Sequence, residues 1–94
     1  MPRAIWNDVV VADADETVIV EGNHYFPPES VDERYLQAAE RTSVCPWKGR
    51  ASYVDLVIGG EVNPAAGWCY PEPSSAAGDI AGHVAFGRSV RVEP

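Results

Sequence analysis

The sequence predicts a mainly β domain built from antiparallel sheets, with one or two short helices. Two observations support this class. β-Branched residues recur in short runs separated by turn-forming residues, and the run at residues 50–58 places Val54, Leu56 and Ile58 on one face of a strand. The 94 residues are enough for one hydrophobic core, with about 60–65% of the unfolded surface buried on folding. We therefore expect residues 1–94 to form a single domain.

The N-terminal third predicts three strands and then a helix. Residues 4–6 predict a short strand, and residues 9–12 and 17–20 predict an antiparallel hairpin joined by an acidic turn at 13–16. The capping pair Ser30 and Glu33 precedes apolar residues at helical spacing. This pattern predicts a helix within residues 30–40.

The second half predicts one long strand and a terminal hairpin. The long strand is predicted at residues 50–58. Its second face would carry Ala51, Tyr53, Asp55 and Val57. Gly59–Gly60 predicts a two-residue hairpin turn, after which Asn63–Pro64 should end the partner strand early. Residues 76–81 predict a turn of helix, and residues 84–86 and 90–92 predict a last short hairpin.

The charge balance excludes some partners. Fourteen acidic residues against seven lysines and arginines give a net charge of −7, which argues against sequence-independent nucleic-acid binding because that relies on basic residues. No apolar run is long enough to span a membrane, and residues 1–8 contain no signal-peptide core. We expect a cytoplasmic protein without nucleic-acid or membrane partners.

The cysteine count limits metal and redox chemistry. Cys45 and Cys69 cannot build a four-thiolate zinc site, and neither belongs to a Cys-x-x-Cys pair. A reducing compartment would keep both thiols reduced, with Cys69 serving as a small packing residue. We expect no metal and no cofactor.

The stretch from Cys45 to Tyr53 carries the strongest functional signal. Lys48 is the only lysine of the chain and lies in an acidic protein beside Trp47. Large aromatic side chains combine apolar area with polar tips that orient a ligand. The residues predicted to line a binding site are Glu21, Tyr25, Trp47, Lys48, Tyr53, Trp68 and Tyr70. The same rings could instead complete the core, and Glu21 and Lys48 could form a structural ion pair.

A second hypothesis is an enzyme that uses Cys45 or Lys48 covalently. The cation at Lys48 would favour the thiolate of Cys45, which makes that cysteine a candidate nucleophile. A catalytic thiol needs a base, and His24 and His83 are the only histidines. The alternative interpretations place His24 in an exposed turn and His83 in a strand or at the surface. A third hypothesis is a structural protein, with a homodimer left open.

Three phrases carry a family resemblance across nearly the whole chain. They are Glu21-Gly22-Asn23-His24-Tyr25-Phe26-Pro27, Cys45-Pro46-Trp47-Lys48-Gly49-x-Ala51-x-Tyr53 and Trp68-x-Tyr70-x-x-Pro73, supported by Ile80-x-Gly82-x-Val84-Ala85-Phe86. Together they resemble the bacterial domain-of-unknown-function family 427. The resemblance implies a β-tent-like fold, in which two antiparallel sheets meet at an angle, as in methionine sulfoxide reductase B and the ligand-binding domain of cereblon.

The resemblance implies less about activity than about fold. The two Cys-x-x-Cys pairs that hold zinc in such relatives are absent, as is the Arg-x-Cys-x-Asn pattern of the reductase. The family has also been labelled nucleotidyltransferase-like, but a phosphate loop followed by closely spaced carboxylates is not assembled around Gly59–Gly60, Glu61, Asp13 and Asp15. We expect a domain that binds a small molecule or peptide in an aromatic-lined pocket between two sheets.

Overall fold

The structure, a computed structural model, describes residues 1–94 as nine strands and three short 3-10 helices. The strands form three antiparallel sheets, so the predicted mainly β class is confirmed. The strands are β1 (Arg3–Trp6), β2 (Val9–Asp13), β3 (Val18–Val20), β4 (Asn23–Tyr25), β5 (Leu36–Cys45), β6 (Gly49–Ile58), β7 (Glu61–Cys69), β8 (Val84–Phe86) and β9 (Arg91–Glu93). The 3-10 helices are Pro28–Ser30, Glu33–Tyr35 and Ser75–Ile80. None of these helices has the length and hydropathy of a membrane span.

The first sheet joins the two ends of the chain in the strand order β2-β1-β9. Asn7 and Asp8 form a two-residue turn between β1 and β2, and both have positive φ. The predicted hairpin between residues 9–12 and 17–20 is therefore wrong, because β2 pairs with β1 and β3 pairs with β4. A two-residue turn matches the twist of the strands it joins, and the longer acidic segment at 13–16 does not provide one.

The four-stranded sheet has the order β5-β6-β7-β8 and contains the longest strands. The strand predicted at residues 50–58 is confirmed as β6, and Gly59–Gly60 forms the turn into β7. Asn63–Pro64 does not end β7, which continues to Cys69. The Asp55 carboxylate accepts a hydrogen bond of 2.7 Å from the backbone N–H of Ala65, which has a φ of +50°. This hydrogen bond from the neighbouring strand gives the backbone N–H of the irregular residue an acceptor, so that β7 continues beyond Pro64.

Two further predictions fail where tertiary pairing overrides the local pattern. Residues 30–40 form no α-helix: the 3-10 turn Glu33–Tyr35 leads directly into β5. Ser30 donates its hydroxyl hydrogen bond backwards to the Pro27 carbonyl, while the Asp32 carboxylate accepts from the backbone of Arg34. The terminal hairpin is also wrong, because β8 pairs with β7 and β9 pairs with β1. The turn of helix predicted at 76–81 is confirmed within Ser75–Ile80.

Side chains from both faces of the four-stranded sheet enter hydrophobic clusters, so the molecule has two of them. The larger one includes Val11, Phe26, Leu56 and Phe86, and Val54 and Ile58 pack against it as the alternation in β6 predicts. The smaller one contains Tyr25, Ala51, Tyr70, Ala77, Ile80 and Ala85. We call this smaller group the second core. Most of the residues predicted to bind a ligand lie in or against it.

The contact between Asp55 and Ala65 yields a stability prediction. Asp55→Ala removes the acceptor of a partly buried N–H and should lower the free energy of unfolding by about 1–2 kcal/mol. Asp55→Asn is the matched control, because its side-chain oxygen can still accept that hydrogen bond. Urea denaturation measures both variants. Equal stability of the two would show that the hydrogen bond is not what carries β7 past Pro64.

Candidate functional site

An ion pair between Glu21 and Lys48 lies at the centre of the candidate site. Glu21 occupies the turn between β3 and β4, and Lys48 lies in the loop between β5 and β6, 27 residues away. The Lys48 ammonium donates a hydrogen bond to the Glu21 carboxylate. The Lys48 side chain is 8% exposed, whereas that of Glu21 is 54% exposed. The lysine is therefore buried, and its counterion extends towards solvent.

Aromatic rings from two parts of the chain contact the ammonium of Lys48. Its Nζ atom lies 5.4 Å from the ring centroid of Trp47 and 5.5 Å from that of Tyr70. Both distances fall in the range in which a cation is attracted to the face of an aromatic ring. These rings add favourable electrostatics to a charge that has lost most of its water.

A second set of aromatic contacts continues from Tyr70 into the second core. The Tyr25 and Tyr70 ring centroids are 6.4 Å apart, and the indole N–H of Trp68 donates a 3.1 Å hydrogen bond to the Tyr25 hydroxyl. Tyr53 lies 6.2 Å from Trp68, centroid to centroid. The structure thus brings all seven predicted residues into one connected group. We call Glu21, Tyr25, Trp47, Lys48, Tyr53, Trp68 and Tyr70 the Lys48 cluster.

The loop after Tyr70 fixes the position of Lys48. The backbone N–H of Ser74 donates to the Lys48 carbonyl at 2.9 Å, and the Ser74 hydroxyl donates to the Trp47 carbonyl. Gly49 has a φ of +112°, and a Cβ there would lie 3.5 Å from the backbone of residues 72–74. The sequence does not predict a role for Ser74, because a serine in a proline-rich loop carries no local signal of the loop that it will contact.

The turn that carries Glu21 is strained in comparison with the other hairpin turns. Three two-residue turns of this chain have positive φ at both positions: Asn7–Asp8, Gly59–Gly60 and Glu21–Gly22. Asparagine, aspartate and glycine are the usual residues for such turns, so Glu21, at a φ of 53°, is the exception. The left-handed conformation costs an ordinary residue about 1–2 kcal/mol. Glutamate at this position is therefore not explained by the turn itself.

The Lys48 cluster is packed and does not enclose a cavity. Tyr25 and Tyr70 are buried, whereas Trp47 is 42% exposed. Three surface cavities, of about 560, 310 and 210 Å³, are lined by other residues. The predicted aromatic-lined pocket is therefore filled by the rings themselves, and the loop at 71–74 holds the turn of Lys48 against the second core. The exposed edge of the cluster is formed by Glu21 and Trp47.

The two cysteines lie in different hydrophobic clusters. Cys45 packs against the second core, and Cys69 packs against the larger core, where burial raises the pKa of its thiol. Both thiols are free. His24 is hydrogen-bonded to the hydroxyl of Thr17 at 2.6 Å, and His83 interacts with the carbonyl of Ala81. No hydrogen bond joins Cys45 to either histidine, so the thiol lacks a positioned base. No group of three or more histidine, cysteine or carboxylate side chains is arranged to hold a metal ion.

The electrostatics keep Lys48 protonated at neutral pH. Burial alone lowers the pKa of Lys48, but the hydrogen bond to Glu21 and the phenols of Tyr25 and Tyr70 raise it above the ordinary value of 10.5. Burial also raises the pKa of the Tyr70 phenol, against the opposing effect of Lys48. A protonated amine is not a nucleophile, so the geometry favours binding of an anion over covalent chemistry at Lys48.

The raised pKa of Lys48 predicts how stability depends on pH. Because the folded-state pKa exceeds the unfolded one, the stabilisation by the ion pair is fully present below pH 10.5 and is lost as pH rises through the folded-state pKa. Glu21→Gln removes the anion and leaves the effect of burial, so the pKa of Lys48 should fall. We expect this variant to be less stable by about 1 kcal/mol at pH 7, and the difference to shrink above pH 10.5.

Urea denaturation between pH 7 and pH 11.5 measures this difference. Glu61→Gln is the control, since Glu61 is exposed at the start of β7 and forms no salt bridge. A stability difference between wild type and Glu21→Gln that stays constant over this pH range would contradict the interpretation.

Comparison with known protein families gives a match over almost the whole chain. The model of a family described as Domain of unknown function (DUF427) matches residues 2–93, almost the whole chain. No curated protein matches the chain. The match covers both phrases that supply the ion pair, around Glu21 and around Lys48, as well as the loop that fixes Lys48 in place. The chain belongs to the DUF427 family.

Proposed function

We propose that this domain binds a small molecule or peptide at the Lys48 cluster, in the cytosol. One observation carries the proposal: the only lysine of the chain is buried between two aromatic rings, and its sole salt-bridge partner is an exposed carboxylate on a strained turn. A ligand can reach the ammonium where Glu21 now contacts it. Binding therefore requires the turn to move, since the rings leave no open cavity.

The energetic cost of the arrangement supports a binding role. A buried ammonium loses hydration that an ion pair recovers only in part, and well-packed apolar residues often stabilise a core equally well. Here the ion pair also requires a glutamate in the left-handed conformation. Residues in backbone conformations of high local energy are found mostly at binding and active sites. Trp47, which is exposed beside the ammonium, offers apolar area to the ligand.

A purely structural ion pair is the competing interpretation. In that case Glu21 and Lys48 would only close the edge of the second core. The enzyme hypothesis has less support, because Cys45 has no positioned base and Lys48 is protonated. The nucleotidyltransferase hypothesis also lacks support, because such an enzyme needs a phosphate-binding loop and Gly59–Gly60 is a tight hairpin turn. The Asp13 carboxylate forms a salt bridge of 3.6 Å with Arg3.

A metabolite screen by thermal shift tests the proposed function. A ligand of the folded state should raise the melting temperature of the wild type in proportion to the logarithm of its concentration. Lys48→Met and Trp47→Ala should each reduce the shift by at least about half, because they remove the charge and the exposed ring. Arg88→Ala is the control, since Arg88 is an exposed cation outside the cluster.

The comparison between variants separates the two interpretations. Ligand shifts that survive unchanged in both Lys48→Met and Trp47→Ala would place binding elsewhere. A complete screen without any shift in the wild type would favour the structural role.

A further inference from the structure

We propose that the ligand carries a carboxylate that replaces the carboxylate of Glu21 on Lys48, and that the tip of the β3–β4 hairpin moves aside to admit it. The inference rests on the proposed function and names its ligand class: a small monocarboxylic acid with an apolar or aromatic group. Without ligand, the Glu21 carboxylate then occupies the position that the ligand carboxylate takes on binding. Four features of the structure support this.

The first feature is the position of the Glu21 carboxylate. It contacts an ammonium whose side chain is only 8% exposed, while its own side chain is 54% exposed. The carboxylate therefore lies between the ammonium and the solvent. A ligand carboxylate that approaches from solvent meets Lys48 at the position that Glu21 occupies.

The second feature is that the hairpin forms a small sheet of its own with an exposed turn. Strands β3 and β4 have three residues each and form a two-stranded sheet of their own. Its base is held by Tyr25, which is fully buried, and by paired hydrogen bonds of 2.8 and 2.9 Å between Phe26 and Val84. The contact between Thr17 and His24 ties the two sides of the hairpin together. Val18 and Val20 also pack against the second core, so the strands of the hairpin stay in place. The exposed turn Glu21–Gly22 at its tip can move without breaking either of the larger sheets.

The third feature is the strain at Glu21. A turn residue with a long side chain and positive φ is held in place by its contact with Lys48. An internal carboxylate has a high effective concentration, which would normally exclude a free ligand. The strain weakens this internal competitor, so a ligand with additional contacts to the exposed Trp47 ring can displace it.

The fourth feature is the charge of the site. Two cations contact rings of the cluster: Lys48 contacts Trp47 and Tyr70, and Arg41 lies 4.7 Å from the ring centroid of Tyr53. Only Lys48 contacts the Glu21 carboxylate that the ligand would replace, and the whole chain has a net charge of −7. A single ammonium balances one negative charge. A phosphate dianion would bring an excess negative charge into an acidic protein, whereas a monocarboxylate matches the charge that Glu21 already supplies.

The test uses Glu21→Asn with benzoate as the probe. Asparagine suits the turn and removes the anion, so it frees Lys48 without disturbing the hairpin. We expect benzoate to bind Glu21→Asn about tenfold more tightly than the wild type, because the internal competitor is gone. Benzamide, the neutral analogue, should show no such gain, and the double variant Glu21→Asn/Lys48→Met should lose the gain for benzoate.

The control replaces a carboxylate in an equivalent turn. Asp8→Asn changes a residue with a φ of 62° in the β1–β2 turn, which forms no hydrogen bond or salt bridge with Lys48. Its affinity for benzoate should equal that of the wild type. Tryptophan fluorescence and NMR titration measure the affinities. Glu21→Gly, which also suits the turn, replaces Glu21→Asn if that variant does not fold.

Labelling of Lys48 gives a second readout. Since it is the only lysine, an amine-reactive reagent followed by peptide mass spectrometry reports how far Lys48 is released from its ion pair, through both its accessibility and its neutral fraction. Glu21→Asn should raise the labelling rate severalfold, and benzoate should slow it again.

Three results would overturn the inference. They are equal binding of benzoate and benzamide to Glu21→Asn, tighter binding of inorganic phosphate than of benzoate, and no gain for benzoate over the wild type. A ligand found by the thermal-shift screen that depends on Lys48 and Trp47 would still support the proposed function in each case. A failure of this inference and a failure of the proposed function are therefore distinguishable.

Discussion

The buried ammonium of Lys48 is the constraint on which the rest of the site depends. A charge that is removed from water needs a counterion and polarisable neighbours. Glu21 and Tyr70 supply them from distant segments of the chain, and Trp47 supplies a ring from the turn of Lys48 itself. Each segment then needs its own support. The β3–β4 hairpin positions the carboxylate, and Ser74 fixes the turn that carries both Trp47 and Lys48. The second core forms beneath them.

The four-stranded sheet makes this arrangement possible because each of its faces contributes side chains to a different hydrophobic cluster. Alternation along β6 sends Leu56 into the larger core and Ala51 into the second core. Strand β8 alternates in the same way, with Ala85 facing the second core and Phe86 the larger one. The larger core can therefore maintain the fold while the second core supports the Lys48 cluster. This separation allows an energetically costly group to persist in a chain of 94 residues.

Local patterns predicted the elements whose pairing is also local. The alternation of residues 50–58 and the Gly59–Gly60 turn identified β6 and its hairpin, because strand and turn signals agree there. The helix expected at residues 30–40 failed, because ten residues of β5 find partners in β6 that no capping pattern can reveal. The passage of β7 through Pro64 depends on Asp55 in another strand.

The membership of the Lys48 cluster was predictable from its chemistry and from the family phrases, but its geometry was not. A single lysine beside a tryptophan in an acidic chain is unusual, and it indicates which residues belong to the candidate site. The sequence does not show that the rings pack without a cavity, since this depends on the docking of the loop at 71–74. Nor does it show that Glu21 has positive φ, because glutamate is an unusual residue for that turn.

The most direct test of the central claim is an NMR titration of Lys48 itself. Protein labelled with ¹⁵N at the lysine Nζ gives a single side-chain signal, because the chain has one lysine. A buried ammonium paired with Glu21 predicts a pKa above 10.5 in the wild type and a lower pKa in Glu21→Gln. Titration of both proteins at 10.5, as for a lysine in water, would contradict the account.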